Sequence, residues 1–76
     1  MPAYRVRFAG YIARERYTSL GVFTACDHAD AIRSAPGICL HMLEMASDPV
    51  FCRTTRRRIV RIEDRHGNII AKNIAL

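Results

Sequence analysis

The stretch 56-RRRIVRIEDRHGNIIAKNI-74 carries the clearest fold signal in the chain. Two apolar runs, 59–62 and 69–74, flank a turn cluster at 64–68 that contains Gly67. Short β-branched runs separated by a few residues with a glycine are typical of a β-hairpin, because glycine reaches positive φ without strain. We therefore predict that the chain closes with a hairpin.

The first 24 residues predict a second hairpin. Residues 3–9 alternate apolar and basic side chains, which is typical of a half-buried strand with Tyr4, Val6 and Phe8 on one face. Residues 10–16 read as a turn or loosely paired extension. A second strand is predicted over 17–24.

In that second strand Leu20 and Val22 share a face, and Phe23 points the other way unless a bulge near Gly21 intervenes. In the closing hairpin the same alternation turns Val60 and Ile62 towards the core. Ile59 then faces outward, unless the predicted register is wrong.

A helix is predicted after Cys26, with Asp27 as its N-cap and an apolar stripe through Ala35. Pro36-Gly37 predicts a kink or a break with a restart, since proline lacks the backbone N–H and disfavours helical geometry in the preceding residue. The continuation over 38–46 is apolar nearly all round, and 76 residues cannot easily surround such a helix. We therefore expect a homodimer or another protein partner, with these candidate interface residues: Leu40, Met42, Leu43 and Met45.

The order of elements predicts the α+β class. It is a two-layer sandwich in which a four-stranded antiparallel sheet (β-β-α-β-β) packs one kinked or broken helix on one face, as a single domain over 1–76.

Three segments, Met1-Pro2-Ala3-Tyr4-Arg5, Asp27-His28-Ala29-Asp30-Ala31-Ile32 and the stretch from Ile62 to Ile69, carry a resemblance that covers most of the chain. The chain resembles a group of small, uncharacterised alphaproteobacterial β-β-α-β-β proteins. The resemblance implies the fold and no assigned activity, and Pro36-Gly37 departs from the unbroken helix usual in that group.

Composition limits the function classes. The net charge is +5, eleven of the twelve basic residues are arginine, and three cysteines cannot pair completely. No apolar run reaches the length of a membrane span, and the N-terminus lacks a signal-peptide pattern. We expect a cytoplasmic protein that binds no membrane. Arginine suits phosphate and carboxylate partners, although codon bias would also explain its abundance.

A zinc site is suggested by one group of residues: Cys26, His28, Cys39, His41 and Cys52. Residues two apart on a helix point in nearly opposite directions, so Cys39 and His41 cannot hold one ion, and no metal is expected. His41 and Glu44 share a helical face, which we interpret as a solvated polar stripe. No cofactor is predicted.

Catalysis is not predicted either. Cys52 beside Arg53 and Cys26 near His28 are candidate nucleophiles, but nothing in the sequence supplies a base, an orienting group and an oxyanion site. Neither a phosphate-binding glycine loop nor a paired-carboxylate motif is present. We expect neither an enzyme nor a small-molecule substrate.

The arginines give the first functional hypothesis. Arg5, Arg7, Arg57 and Arg61 are predicted on the sheet face opposite the helix, with Arg56, Arg58 and Arg53 at one end and Arg14 and Arg16 at the first turn. Phe23 and Tyr17 would add a stacking platform on the same face.

Two functions therefore stay open. The first is a non-catalytic binding or regulatory module, including an inhibitor of nucleoprotein machinery, that presents an Arg-rich surface to nucleic acid or to an acidic protein. The alternative is a homodimeric protein–protein interaction module that works through the apolar helix 38–46 and has no nucleic-acid role.

Overall fold

The computed structural model describes residues 1–45 and 53–76. Its elements are β1 (Ala3–Ile12), β2 (Glu15–Thr24), α1 (His28–Met45), β3 (Thr55–Glu63) and β4 (Ile69–Ala75). The four strands form one antiparallel sheet in the order β2-β1-β3-β4, and α1 packs on one of its faces. The predicted α+β class and β-β-α-β-β order are confirmed.

The core lies between the helix and the inner face of the sheet. Tyr4, Val6 and Phe8 of β1 are buried there, as the alternation predicted. The helix contributes side chains at four-residue spacing, and the first three are small enough to let its backbone approach the sheet closely. These helix residues are Ala31, Ala35, Cys39 and Leu43.

The first hairpin is longer than predicted. β1 and β2 pair without interruption from Ala3–Thr24 to Ile12–Glu15, so most of 10–16 is strand. A two-residue turn joins them, with Ala13 at a φ of 55°. The sequence does not indicate this turn, because its two residues, Ala13 and Arg14, are not usual turn formers.

The pairing register decides which residues of β2 face the core. Phe23 lies opposite Tyr4 and stacks on it at 5.8 Å between ring centroids, while Tyr17 packs partly against the core. Leu20 and Val22 face away from the helix and are 54% and 62% exposed. The predicted alternation is correct, but placing Phe23 and Tyr17 on the arginine-bearing face was wrong.

The predicted alternation of β3 was also wrong, from Ile59 back towards the start of the strand. Ile59 and Ile62 are both fully buried, and Val60 is half-buried. A β-bulge explains this, because the pairing with β1 shifts by one residue between Arg7 and Phe8. The closing turn matches its prediction, with Gly67 at a φ of 83°.

The helix begins as predicted. Asp27 accepts a hydrogen bond from the Asp30 N–H at 2.8 Å, and the Asp30 carboxylate accepts one from the Cys26 N–H at 3.0 Å. The helix then continues unbroken through Pro36, so the predicted break is absent. The carbonyl that loses its donor belongs to Ile32, an exposed residue, where water can take the missing bond.

Within the described residues, no helix combines the length and hydropathy that crossing a bilayer requires.

Candidate nucleic-acid interface

The sheet face opposite the helix carries seven of the twelve basic residues. Arg5 and Arg7 alternate with the buried residues of β1 and therefore lie on this face. The strand registers add Arg61 and Arg58 from β3, Arg16 from β2, and Lys72 from β4. We call this surface the cationic face and define it by these residues: Arg5, Arg7, Arg16, Arg56, Arg58, Arg61, Lys72 and the acidic Glu63.

Three cations lie side by side across the middle of the cationic face. Arg7 pairs with Arg61, and Arg61 pairs with Lys72, on three neighbouring strands. Adjacent strands are about 4.8 Å apart, so the row places like charges directly opposite one another, which destabilises a sheet. The Nε atom of Arg7 is buried and has no hydrogen-bond acceptor within the described part of the chain.

One acid moderates the row. The Arg61 Nε donates to the Glu63 Oε1 at 2.6 Å. Among residues 1–45 and 53–76, Glu63 is the only acidic residue on the cationic face. Glu15 lies on the other side of the sheet, where its carboxylate accepts a hydrogen bond from the Tyr17 hydroxyl at 2.7 Å.

Arg56 covers the one aromatic ring found on this face among the described residues. Its guanidinium carbon lies 5.1 Å from the centroid of the Tyr11 ring, a cation–π distance. Its Nη2 also donates to the Ala13 carbonyl at 3.4 Å, and its backbone φ is 52°. These contacts fix Arg56 at the end of the face next to the first turn.

Arg57 lies on the other side of the sheet, which corrects its prediction. Together with Leu40, Leu43 and Glu44 of the helix it lines a small cavity of about 210 Å³. Its Nε donates to the Thr54 hydroxyl oxygen at 3.1 Å. The pairing shift that buries Ile59, between Arg7 and Phe8 of β1, also explains this orientation: Arg58 pairs with Ala9 on the outer face, so the next residue, Arg57, faces the helix side.

The sequence placed Arg5, Arg7 and Arg61 on the correct face, with Arg58 at one end and Arg16 at the first turn, but missed Lys72. Lys72 lies inside a predicted strand, so its alternation with the inward Ala71 could have revealed it. The positions of Arg58 and Arg16 on this face depend on the bulge in β3 and on the two-residue turn after Ile12, and the sequence indicates neither of them.

The candidate interface residues of the helix separate in the structure. Leu43 is 4% exposed and packs in the core, and Met42 packs against the core from its edge. Leu40 is 44% exposed. The side chain of Met45 and the prediction for Cys52 fall outside the described residues.

The two described cysteines lie in opposite environments. Cys26 is exposed, whereas Cys39 is fully buried, and burial raises the pKa of the Cys39 thiol to about 11. A thiol with so high a pKa is a poor nucleophile at neutral pH. In residues 1–45 and 53–76, no three His, Cys, Asp or Glu side chains are arranged to hold a metal ion.

A cleft of about 810 Å³ lies at the start of the helix, lined by residues that include Tyr4, His28, Asp64 and His66. The carboxylate of Asp64, which lines this cleft, is already occupied by hydrogen bonds within the chain. Asp64 accepts hydrogen bonds from the His66 N–H at 2.9 Å, the Asn68 N–H at 2.9 Å and the Asn68 amide at 3.2 Å. The His28 Nε2 lies 3.8 Å from it. These contacts hold the closing turn.

Comparison of the chain with protein-family models, with curated proteins and with solved structures found no match. The cationic face therefore has to be interpreted from its own chemistry.

Proposed function

We propose that the protein is a non-catalytic binding module that holds the phosphate backbone of a nucleic acid on its cationic face. The observation that carries the proposal is the row formed by Arg7, Arg61 and Lys72. Its like charges reduce the stability of the isolated sheet, and phosphate groups would relieve that repulsion. A module of this kind would regulate or inhibit by occupying nucleic acid.

The position of the charge favours nucleic acid over an acidic protein. Protein–protein interfaces carry apolar and aromatic residues at their centre and place charges at the rim. Here Arg7 and Arg61 occupy two central strands, and the exposed apolar residues Leu20 and Val22 lie on the edge strand β2. A charged centre on an open sheet fits a row of phosphates better.

The aromatic residues favour contact with the backbone over contact with bases. Sheet-based RNA binders stack bases on exposed aromatic rings. In the described part of this chain, Phe23 and Tyr17 pack on the helix side and Arg56 covers Tyr11. We therefore expect weak dependence on base sequence and strong dependence on salt.

The helix offers less for an interaction function. Of the candidate residues, Leu43 and Met42 already pack within the chain, which leaves Leu40 as the exposed one among those described. A single exposed leucine is ordinary for a protein surface.

The test is a fluorescence anisotropy titration of labelled single-stranded and double-stranded oligonucleotides at several salt concentrations. The logarithm of the affinity should fall linearly with the logarithm of the salt concentration. In the double variant Arg7→Gln, Lys72→Gln the slope should become shallower by about two, since each phosphate contact contributes about one.

The matched control is the double variant Arg33→Gln, Arg65→Gln, which removes the same charge away from the cationic face. Arg33 is an exposed residue of the helix, and Arg65 belongs to the closing turn. The control should keep the wild-type slope. Equal losses in the two double variants, or no binding by the wild type at physiological salt, would refute the proposal.

A further inference from the structure

From Tyr17 to Thr24, the free edge of β2 lacks the features that usually protect an edge strand. In the part of the chain that the structure describes, β2 ends the sheet on one side, and its ten residues pair with β1 without any register shift. Residues 17–24, YTSLGVFT, contain neither a charged residue nor a proline. Such an edge exposes a straight row of backbone N–H and C=O groups that can pair with another strand.

The opposite edge of the sheet shows the contrast. β4 carries Lys72, its register with β3 shifts between Ile62 and Glu63, and Asn73 has a φ of 54°. A lysine and an irregular backbone are the usual means by which proteins prevent edge pairing. The chain thus protects one edge and leaves the other open.

We propose that the free edge of β2 pairs antiparallel with β2 of a second copy of this chain. The charge distribution selects a second copy as the occupant. The molecule carries +5, so two copies repel each other over most of their surfaces, but residues 17–24 form a neutral segment. An acidic partner strand would find no cation on β2 itself between Tyr17 and Thr24, since the nearest ones, Arg5 and Arg7, belong to β1.

Twofold pairing centred on Leu20 satisfies every position along the edge. It sets Leu20 against the Leu20 of the second copy, Val22 against Thr18, and Tyr17 against Phe23. Arg16 then lies opposite Thr24, so no like charges meet across the interface. Leu20 and Val22 gain apolar contacts that they lack in the monomer, where both are more than half exposed.

The dimer would have one continuous eight-stranded sheet with the two cationic faces on the same side. Its existence does not depend on nucleic-acid binding, because the proposed contacts are backbone pairs and apolar side chains of β2. A second copy also suits a chain of 76 residues, since small domains often gain stability from oligomerisation.

The experiment measures the mass of the full chain by light scattering and sedimentation in the absence of nucleic acid. The wild type should be dimeric at about 100 μM. Leu20→Lys and Leu20→Glu should each be monomeric, with a dissociation constant about 100-fold higher. Each dimer contains two copies of the substitution, and each copy should weaken the affinity roughly tenfold. A 1:1 mixture of the Lys and Glu variants should dimerise again, because opposite charges then meet.

The control is Leu40→Lys, which places the same charge on the exposed face of the helix and should leave the dimer intact. Circular dichroism checks that each variant is folded, and Val22→Lys repeats the test at the neighbouring outward position. A monomeric wild type, a mixture that stays monomeric, or a dimer abolished by Leu40→Lys and kept by Leu20→Lys would overturn the proposal.

Discussion

At the scale of single residues, Gly10 is needed for its small size. A Cβ atom at this position would lie 2.5 Å from both the Cβ and the Oγ1 of Thr54, and 3.3 Å from the Cγ of Arg57. Thr54 is buried and cannot easily move away. We predict that Gly10→Ala lowers the free energy of unfolding by about 1–3 kcal/mol, the usual cost of overpacking, as measured by urea denaturation.

Gly37 is the matched control for this prediction. A Cβ added there meets nothing within 4 Å, and the residue is exposed within the helix. Gly37→Ala should therefore raise the free energy of unfolding by about 0.5–1 kcal/mol. Equal effects of the two substitutions would show that the space around Gly10 does not matter.

Asp64 makes the stability of the closing turn dependent on pH. Burial acts to raise the pKa of Asp64, but hydrogen bonds from Asn68 and His66 outweigh it and hold this pKa below its ordinary value. A lowered pKa in the folded state stabilises the fold above the ordinary aspartate pKa of about 4, and this contribution is lost as pH falls through the folded-state value.

We predict that Asp64→Asn destabilises the protein at pH 7, and that the difference from the wild type narrows below pH of about 4. Urea denaturation at a series of pH values measures this difference. A difference that stays constant from neutral to acidic pH would contradict a role for the ionised carboxylate.

At the scale of secondary structure elements, α1 lacks one of its backbone hydrogen bonds because it contains Pro36. The helix continues through Pro36, which has no N–H to offer the carbonyl of Ile32. Pro36→Ala restores that donor, and alanine is the best helix former. We predict that the free energy of unfolding rises by about 1–2 kcal/mol, less than the full propensity difference because the half-buried proline ring loses its packing.

Thermal and urea denaturation of Pro36→Ala measure this effect, with Gly37→Ala as the neighbouring change that restores no hydrogen bond. A destabilised Pro36→Ala protein would indicate that the contacts of the proline ring contribute more than the missing hydrogen bond.

The elements also show what the sequence can predict. Alternation placed Tyr4, Val6 and Phe8 in the core correctly, because one strand face is buried along its whole length. It failed for Ile59 and Arg57, since both follow the bulge that shifts the pairing with β1 between Arg7 and Phe8. Bulges depend on how two strands meet, and one strand's sequence does not report that.

The same limit applies to the candidate site. The sequence predicted that Arg5, Arg7 and Arg61 share a face, but the row that joins Arg61 to Lys72 follows from the register of β3 with β4. That register includes a shift between Ile62 and Glu63, and a shift of this kind depends on how the two strands meet. The shared face of Arg5, Arg7 and Arg61 could be predicted from the sequence, whereas the row of charges across three strands could not.

At the scale of the whole molecule, stability and binding should oppose each other. The cationic face places like charges opposite one another on neighbouring strands, with Glu63 as its one acid among the described residues. A sheet that needed only a solvated outer face would gain from mixed charges. Keeping the repulsion is reasonable if an anionic ligand relieves it, since binding sites often reduce stability.

Lys72→Glu tests this opposition because it replaces a repulsive contact with Arg61 by an attractive one. We predict that the free energy of unfolding rises by about 0.5 kcal/mol in low salt, and that the gain shrinks as salt screens the charges. Affinity for oligonucleotides should fall at least tenfold, since a phosphate contact is lost and a repulsive charge is added. Arg33→Glu, which makes the same charge change on the helix beside Asp30, should lower the stability and leave the affinity closer to that of the wild type. If Lys72→Glu stabilised the protein without weakening binding, the row of Arg7, Arg61 and Lys72 would destabilise the sheet without contributing to nucleic-acid binding.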